Sequence, residues 1–159
     1  MIEVPPFIIV ERKTKSEIRI GCWVRCIARC VKTGRILAYG EGQNKLVDVG
    51  RQVVRDHLGG IGMRPSHMGV GQGQNPTTDG MDALESEVLR KTIDRRIQKT
   101  YGVDLQVVIT TAEGNDTTFR EIATFEDERM IARGVFSPFI PKTELAEVTL
   151  SHVMTVYSS

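Results

Sequence analysis

The chain carries almost no net charge: 21 Lys and Arg against 20 Asp and Glu leave +1. No global field therefore draws it to nucleic acid or to an anionic membrane. It also lacks long apolar runs. The longest, such as Phe7–Val10, span a few residues and fall far short of a membrane crossing. The opening residues, MIEVPP, have neither the basic start nor the apolar centre of a signal peptide. Cysteine is sparse and odd in number. Cys22, Cys26 and Cys30 lie close together, which does not suggest a secreted disulfide framework and fits a reducing, cytosolic origin. There is no internal repeat and no low-complexity segment.

What is present suits one domain. At 159 residues the chain can bury roughly 70% of the surface its unfolded form exposes. Residues 1–17 are expected to form an N-terminal extended arm, because Pro5 and Pro6 disfavour helix and favour an extended path. Residues 18–159 then make a single β-rich domain. Residues 18–43 are expected to form a hairpin. Ile18, Ile20, Cys22, Val24, Cys26, Ala28 and Cys30 share one face, and Lys32-Thr33-Gly34-Arg35 makes the turn, with Gly40 and Gly42 marking the end of the second strand.

One helix is expected at about residues 45–58. Asn44 is its N-cap, Leu46, Val49, Val53, His57 and Leu58 form its stripe, and Gly59-Gly60 stops it. Gly50 inside it implies close approach to a sheet. Met68 and Val70 alternate with Gly69 and Gly71 in a short strand, whose glycines are expected to pack against the helix. A loop rich in turn formers follows. Strands are expected from about Val88 to Tyr101-Gly102, over residues 103–111, over TFREIATF and RMIARGVF with a turn at 126–128, and over 145–157. Pro138 and Pro141 are expected to break the chain. The pattern predicts a mainly β fold: an antiparallel β-sandwich or jelly-roll-like domain with one α-helix.

Few groupings suggest chemistry. A strand would hold successive cysteines of the trio ~13 Å apart, from its ~3.3 Å rise per residue, so they are expected to be small core residues and no metal site is predicted. GVGQG at 69–73 resembles a phosphate loop but lacks the Lys-Ser/Thr that should follow. His57 and His152 fall on apolar faces and are expected as core histidines; His67 has no ligand pattern around it. Asp48, Asp56, Asp79 and Asp82 could partner a histidine in acid–base work. No Ser or Cys sits in a nucleophile motif, and no enzyme activity or cofactor is predicted. A small hydrolase would need a paired carboxylate in a cleft, drawn from Asp48, Asp79, Asp82 and Glu85. The basic run at 90–99 has only Tyr101 as a nearby aromatic, and alternation splits its charges across both faces. That argues for a solvated strand or a subunit contact over a nucleic-acid groove.

Four loose motifs stand in order: Gly71 and Gly73; Leu84, Glu87 and Arg90; Thr118, Glu121, Ile122 and Phe125; and Ala132, Arg133, Phe136, Pro138 and Lys142. Over about residues 30–157 the chain resembles small tailed-bacteriophage structural proteins related to tail-fibre and tail-collar components. Lys142 stands one residue later than that family's pattern. The resemblance implies a non-enzymatic virion subunit, made in the host cytoplasm, whose partners are other virion proteins and further copies of itself, with a trimer favoured. Tail, baseplate, collar or fibre anchoring is the expected place, and head decoration the alternative. The expected subunit contacts are Pro5, Phe7, Ile8, Ile9 and Val10 in the arm, and Gln72, Gln74 and Asn75 in the long loop.

Overall fold

Strict alternation over most of the chain builds nine strands and one helix among the described residues. The strands are β1 (Ile18–Cys30), β2 (Ile36–Leu46), β3 (His67–Gly71), β4 (Glu87–Thr92), β5 (Arg95–Lys99), β6 (Gly102–Ile109), β7 (Thr117–Glu126), β8 (Arg129–Lys142) and β9 (Ala146–Ser158); helix α1 (Asp48–Leu58) lies between β2 and β3. The computed structural model describes residues 18–62 and 64–158. The predicted arm, with Pro5, Phe7, Ile8, Ile9 and Val10, lies outside the described residues.

All nine strands join one antiparallel sheet in the order β4-β3-β7-β8-β2-β1-β9-β6-β5. The single strand expected from Val88 to Gly102 is instead two: the sheet's end strands, β4 and β5, are consecutive in the chain and separated only by Ile93 and Asp94. The sheet must therefore curl until its ends meet. The Ile93 N–H donates to the Ser66 carbonyl at 2.9 Å on one side, and the Asp94 N–H to the Gln106 carbonyl at 2.9 Å on the other. The Asp94 side chain also accepts from the Val108 N–H at 2.7 Å. Inside the curl, Val24, Cys26 and Ala28 of β1 and Leu105, Val107 and Ile109 of β6 meet Met68, Val70, Phe119, Ile122 and Phe136 from the opposite half. The molecule is thus mainly β with one helix, as the alternation predicts, and two halves of one sheet face each other across the core.

The hairpin turn forms as expected, with Gly34 at φ +70°, a conformation that favours glycine. Several local expectations are corrected. The helix begins at Asp48, with Val47 at its N-cap position. Residues 44–46 instead continue β2 and pair with Gly134, Arg133 and Ala132 of β8. Sheet pairing outcompetes the local helix signal there, and the Asn44 side chain serves another purpose described below. Gly40 and Gly42 consequently lie within β2; a Cβ at either would collide with backbone carbonyls of Pro138 or Val135. Pro138 and Pro141 lie within β8 and do not end it. Pro138 falls where the β7–β8 register skips between Phe119↔Ile140 and Glu121↔Val135, so no ladder bond is lost.

Helix α1 packs on β8 through Gly50 and Val53, with Val53 against Ile131 and Ala132. A Cβ at Gly50 would run into the Ile131 carbonyl oxygen, which is why glycine stands in the helix interior. His57 and Leu58 lie outside the buried stripe and are exposed, Leu58 by 82%. The glycines of β3 do not pack against the helix. Their space is taken by Leu84, Phe125 and Glu121.

Candidate functional site

That last correction locates the most unusual chemistry in the molecule. Strand β7 is buried on both faces from Glu121 to Glu126. Its inner face meets the core. Its outer face is covered by the loop 72–86, with Leu84 packing beside Ala123, Phe125 and Met130. Glu121 points into this cover. One carboxylate oxygen accepts from the N–H groups of Gly73 at 2.9 Å and Ser86 at 2.8 Å; the other accepts from the Glu85 N–H at 3.1 Å and from Arg133 Nε at 2.7 Å. Both side chains are fully buried. Gly71 and Gly73 alternate because side chains there would strike Glu121.

Arg133 reaches further along the loop. Its Nη1 donates to the Asn75 carbonyl at 2.9 Å and to Thr77 Oγ1 at 3.0 Å, and its Nη2 to Glu85 at 3.4 Å. The Asn75 amide and backbone N–H in turn donate to Glu85 at 2.7 and 3.1 Å. The far end of the loop is tied to the helix, where the Asp48 N–H donates to the Asp79 carbonyl at 2.8 Å and Lys45 pairs with the Asp79 carboxylate at 2.8 Å. The Lys45 hydrogen bond holds the Asp79 carboxyl below the usual carboxylate range. A buried ion pair with every lone pair occupied fixes geometry more than it stabilises. Here it holds a crest made of Gln74, Asn75, Pro76 and Thr78, all exposed, above the sheet. Of the predicted contact residues, Gln74 and Asn75 are on that crest. Gln72 is half-buried, and its N–H donates to the Ser86 carbonyl.

A second polar cluster lies at one end of the core. His152 is fully buried, with Nδ1 at 2.5 Å from Thr124 Oγ1 and Nε2 at 2.8 Å from Asn44 Nδ2. Burial pushes its pKa down to about 3, so the ring is neutral at physiological pH. Both ring nitrogens are thus engaged, one by the Asn44 side-chain amide and the other by the Thr124 hydroxyl. The expectation of a core histidine holds for His152. It fails for His57, which is exposed and sits 3.2 Å from Glu126.

A third cluster lies on the outer face. Ser151 Oγ donates to Asp104 at 2.5 Å, and Gln106 and Arg25 reach the same carboxylate at 3.1 and 3.4 Å. Ser151 and His152 are neighbours in a strand and point to opposite faces, so the serine, histidine and aspartate do not converge as a nucleophile with its base. The other acids are held in ion pairs: Asp48 and Asp79 share Arg51, with Asp79 also on Lys45, and Asp56 meets Arg55 and Arg129. Asp82 is exposed on the loop. The cysteines are free thiols; Cys26 is buried, Cys22 and Cys30 half-buried, and burial raises Cys22 to about 11. Among the described residues no group of three or more His, Cys, Asp or Glu converges as a metal site.

The Glu121–Arg133 clamp was not predicted, although both residues stand in the motifs of the resemblance. The legible signal was a lone Glu inside the apolar segment EIATF, beside a glycine-alternating strand. No family model, curated protein or solved structure matches the chain.

Proposed function

We propose that the chain is a non-enzymatic structural subunit of a tailed-phage virion, assembling through its β domain and N-terminal arm in the tail, baseplate, collar or a fibre anchor. The observation that carries the reading is the clamp. The most desolvated ion pair of the described residues engages a surface loop through four of its backbone groups and the Thr77 hydroxyl, and so presents a fixed crest. A fixed surface with no convergent acid, base or nucleophile among the described residues suits docking more than turnover. The resemblance of the motif order to phage tail components supplies the particle.

The test is incorporation. A tagged full-length chain is supplied during infection by a phage encoding it, and purified particles are assayed for the tag. Full-length protein is expected in particles, and a form lacking residues 2–10 is expected to be lost from them while keeping its β-sheet circular dichroism. Normal incorporation of the shortened form would remove the arm from the assembly contacts. Absence of the full-length chain from particles would sink the virion reading itself.

A further inference from the structure

The chain has one tryptophan and three tyrosines. All four are exposed: Trp23 by 38%, Tyr39 by 40%, Tyr157 by 54% and Tyr101 by 74%. The phenylalanines Phe119, Phe125 and Phe136 are instead in the core. Trp23, Tyr39 and Tyr157 line one groove of ≈ 530 Å³ on the outer face of β2, β1 and β9, together with Arg25, Glu41 and Lys99. The fold brings them there: Trp23 pairs with Val153, Arg25 with Glu41, and Arg19 with Tyr157. The Tyr157 ring lies over Gly21, where a Cβ would come within 2.6 Å of its Cε2. Glycine thus lets the ring lie against the backbone and turn its other side outward. Among the described residues Trp23 has no acceptor for its indole N–H, and Lys99 has no acidic partner.

Flat exposed rings with a free indole donor are what an extended proline segment needs. Proline rings stack on aromatic faces, and the carbonyls of a polyproline helix have no internal partners, so they accept from tryptophan. The chain contains one sequence of the composition that favours this conformation, Val4-Pro5-Pro6-Phe7. Its only side-chain charge before Glu11 is Glu3, complementary to the unpaired Lys99. The eleven residue-to-residue steps from Phe7 to Ile18 span up to about 36 Å when extended, enough to cross to another copy. We infer that the groove of Trp23, Tyr39 and Tyr157 is the seat for the Val4–Phe7 segment of a second copy's arm. The inference rests on the assembly reading above and names its contact.

The test uses the full chain in four preparations: unaltered, Pro5→Ser/Pro6→Ser/Phe7→Ser, Tyr157→Ala, and an equimolar mixture of the two altered proteins. Sedimentation velocity measures association, and quenching of the lone tryptophan reports the groove. The unaltered chain is expected to self-associate with Trp23 shielded. Each altered protein alone should associate at least about tenfold more weakly, as loss of an aromatic anchor does. The mixture should recover in part, because intact arms of one protein meet intact grooves of the other while the reciprocal contacts stay doubly altered. Lys99→Glu, a surface change with little effect on folding, should weaken association as well, and Glu3→Lys should restore it. Equal association in every preparation overturns the groove while leaving incorporation into particles to stand on its own test. A monomer that shields Trp23 only when its arm is intact places the segment in its own groove and overturns the second-copy contact. A monomer with Trp23 freely quenched overturns the inference outright.

Discussion

Glu121 and Arg133 share a site from which water is excluded, and their loss should be unequal. Removing Glu121 strands three backbone N–H groups and the Arg133 Nε, and leaves the buried guanidinium with Asn75, Thr77 and the more distant Glu85 carboxylate. Removing Arg133 leaves a carboxylate that still accepts from Gly73, Glu85 and Ser86. Glu121→Leu is therefore expected to cost about 3–5 kcal/mol in urea unfolding, and Arg133→Met less. The double variant should not recover wild-type stability, because the loop N–H groups stay unpaired. His152 gives a second residue-scale prediction. Its pKa falls from 6.5 to about 3 on folding, so the unfolded chain binds the extra proton between those values. Stability is full above pH 6.5 and is lost as pH falls toward 3, at up to ~1.4 kcal/mol per pH unit. The lowered carboxyls Asp56, Asp79 and Glu113 act in the same direction only in the acidic part of that window. Between pH 6.5 and 5, His152→Gln should flatten the stability profile measured by urea unfolding; an unchanged slope would show that another group carries it.

At the level of the element, α1 reverses an ordinary rule. Gly→Ala inside a helix usually stabilises by about 1 kcal/mol. At Gly50 the added methyl meets the Ile131 carbonyl, so Gly50→Ala is expected to destabilise by about 1–3 kcal/mol through displacement of the helix from β8. A thermal melt of the single variant decides the sign. The same helix shows where sequence reading succeeds. Gly50 announced the close approach, and alternation along Val24-Cys26-Ala28 and Leu105-Val107-Ile109 announced the inner face. Boundaries set by distant partners were hidden. Residues 44–46 look like the start of a helix until β8 is beside them. Pro138 and Pro141 look like breaks until the skipped register is known. Glu121 and the glycines of β3 were visible separately, but nothing local joins residues about fifty positions apart. The aromatic groove was equally hidden: Trp23, Tyr39 and Tyr157 are neighbours only because β2, β1 and β9 are.

The whole molecule is a sheet whose middle is made from both ends of the chain. β1 pairs with β9 along its entire length, from Ile18↔Ser158 to Cys30↔Ala146, and this ladder lies between β2 and β6. Such non-local pairing places folding in the slow range of milliseconds to seconds. A chain truncated after Lys142 should fail to form the sheet at all, seen as loss of cooperative unfolding, because both β1 and β6 would lose a neighbour. Partial, cooperative structure in that fragment would instead show that the half built from β3, β7 and β8 folds alone.

The pairing of Ile18 with Ser158 also bears on how the molecule could be rewired. Their backbones are adjacent, so once residues 1–17 are removed a linker of a few residues would turn the chain into a loop without disturbing a strand. New termini could then be cut at the exposed Asp127–Glu128 turn. Such a circular permutant should keep the sheet, and it would carry cargo fused at the new ends out from the β7–β8 turn instead of beside the β1–β9 ladder.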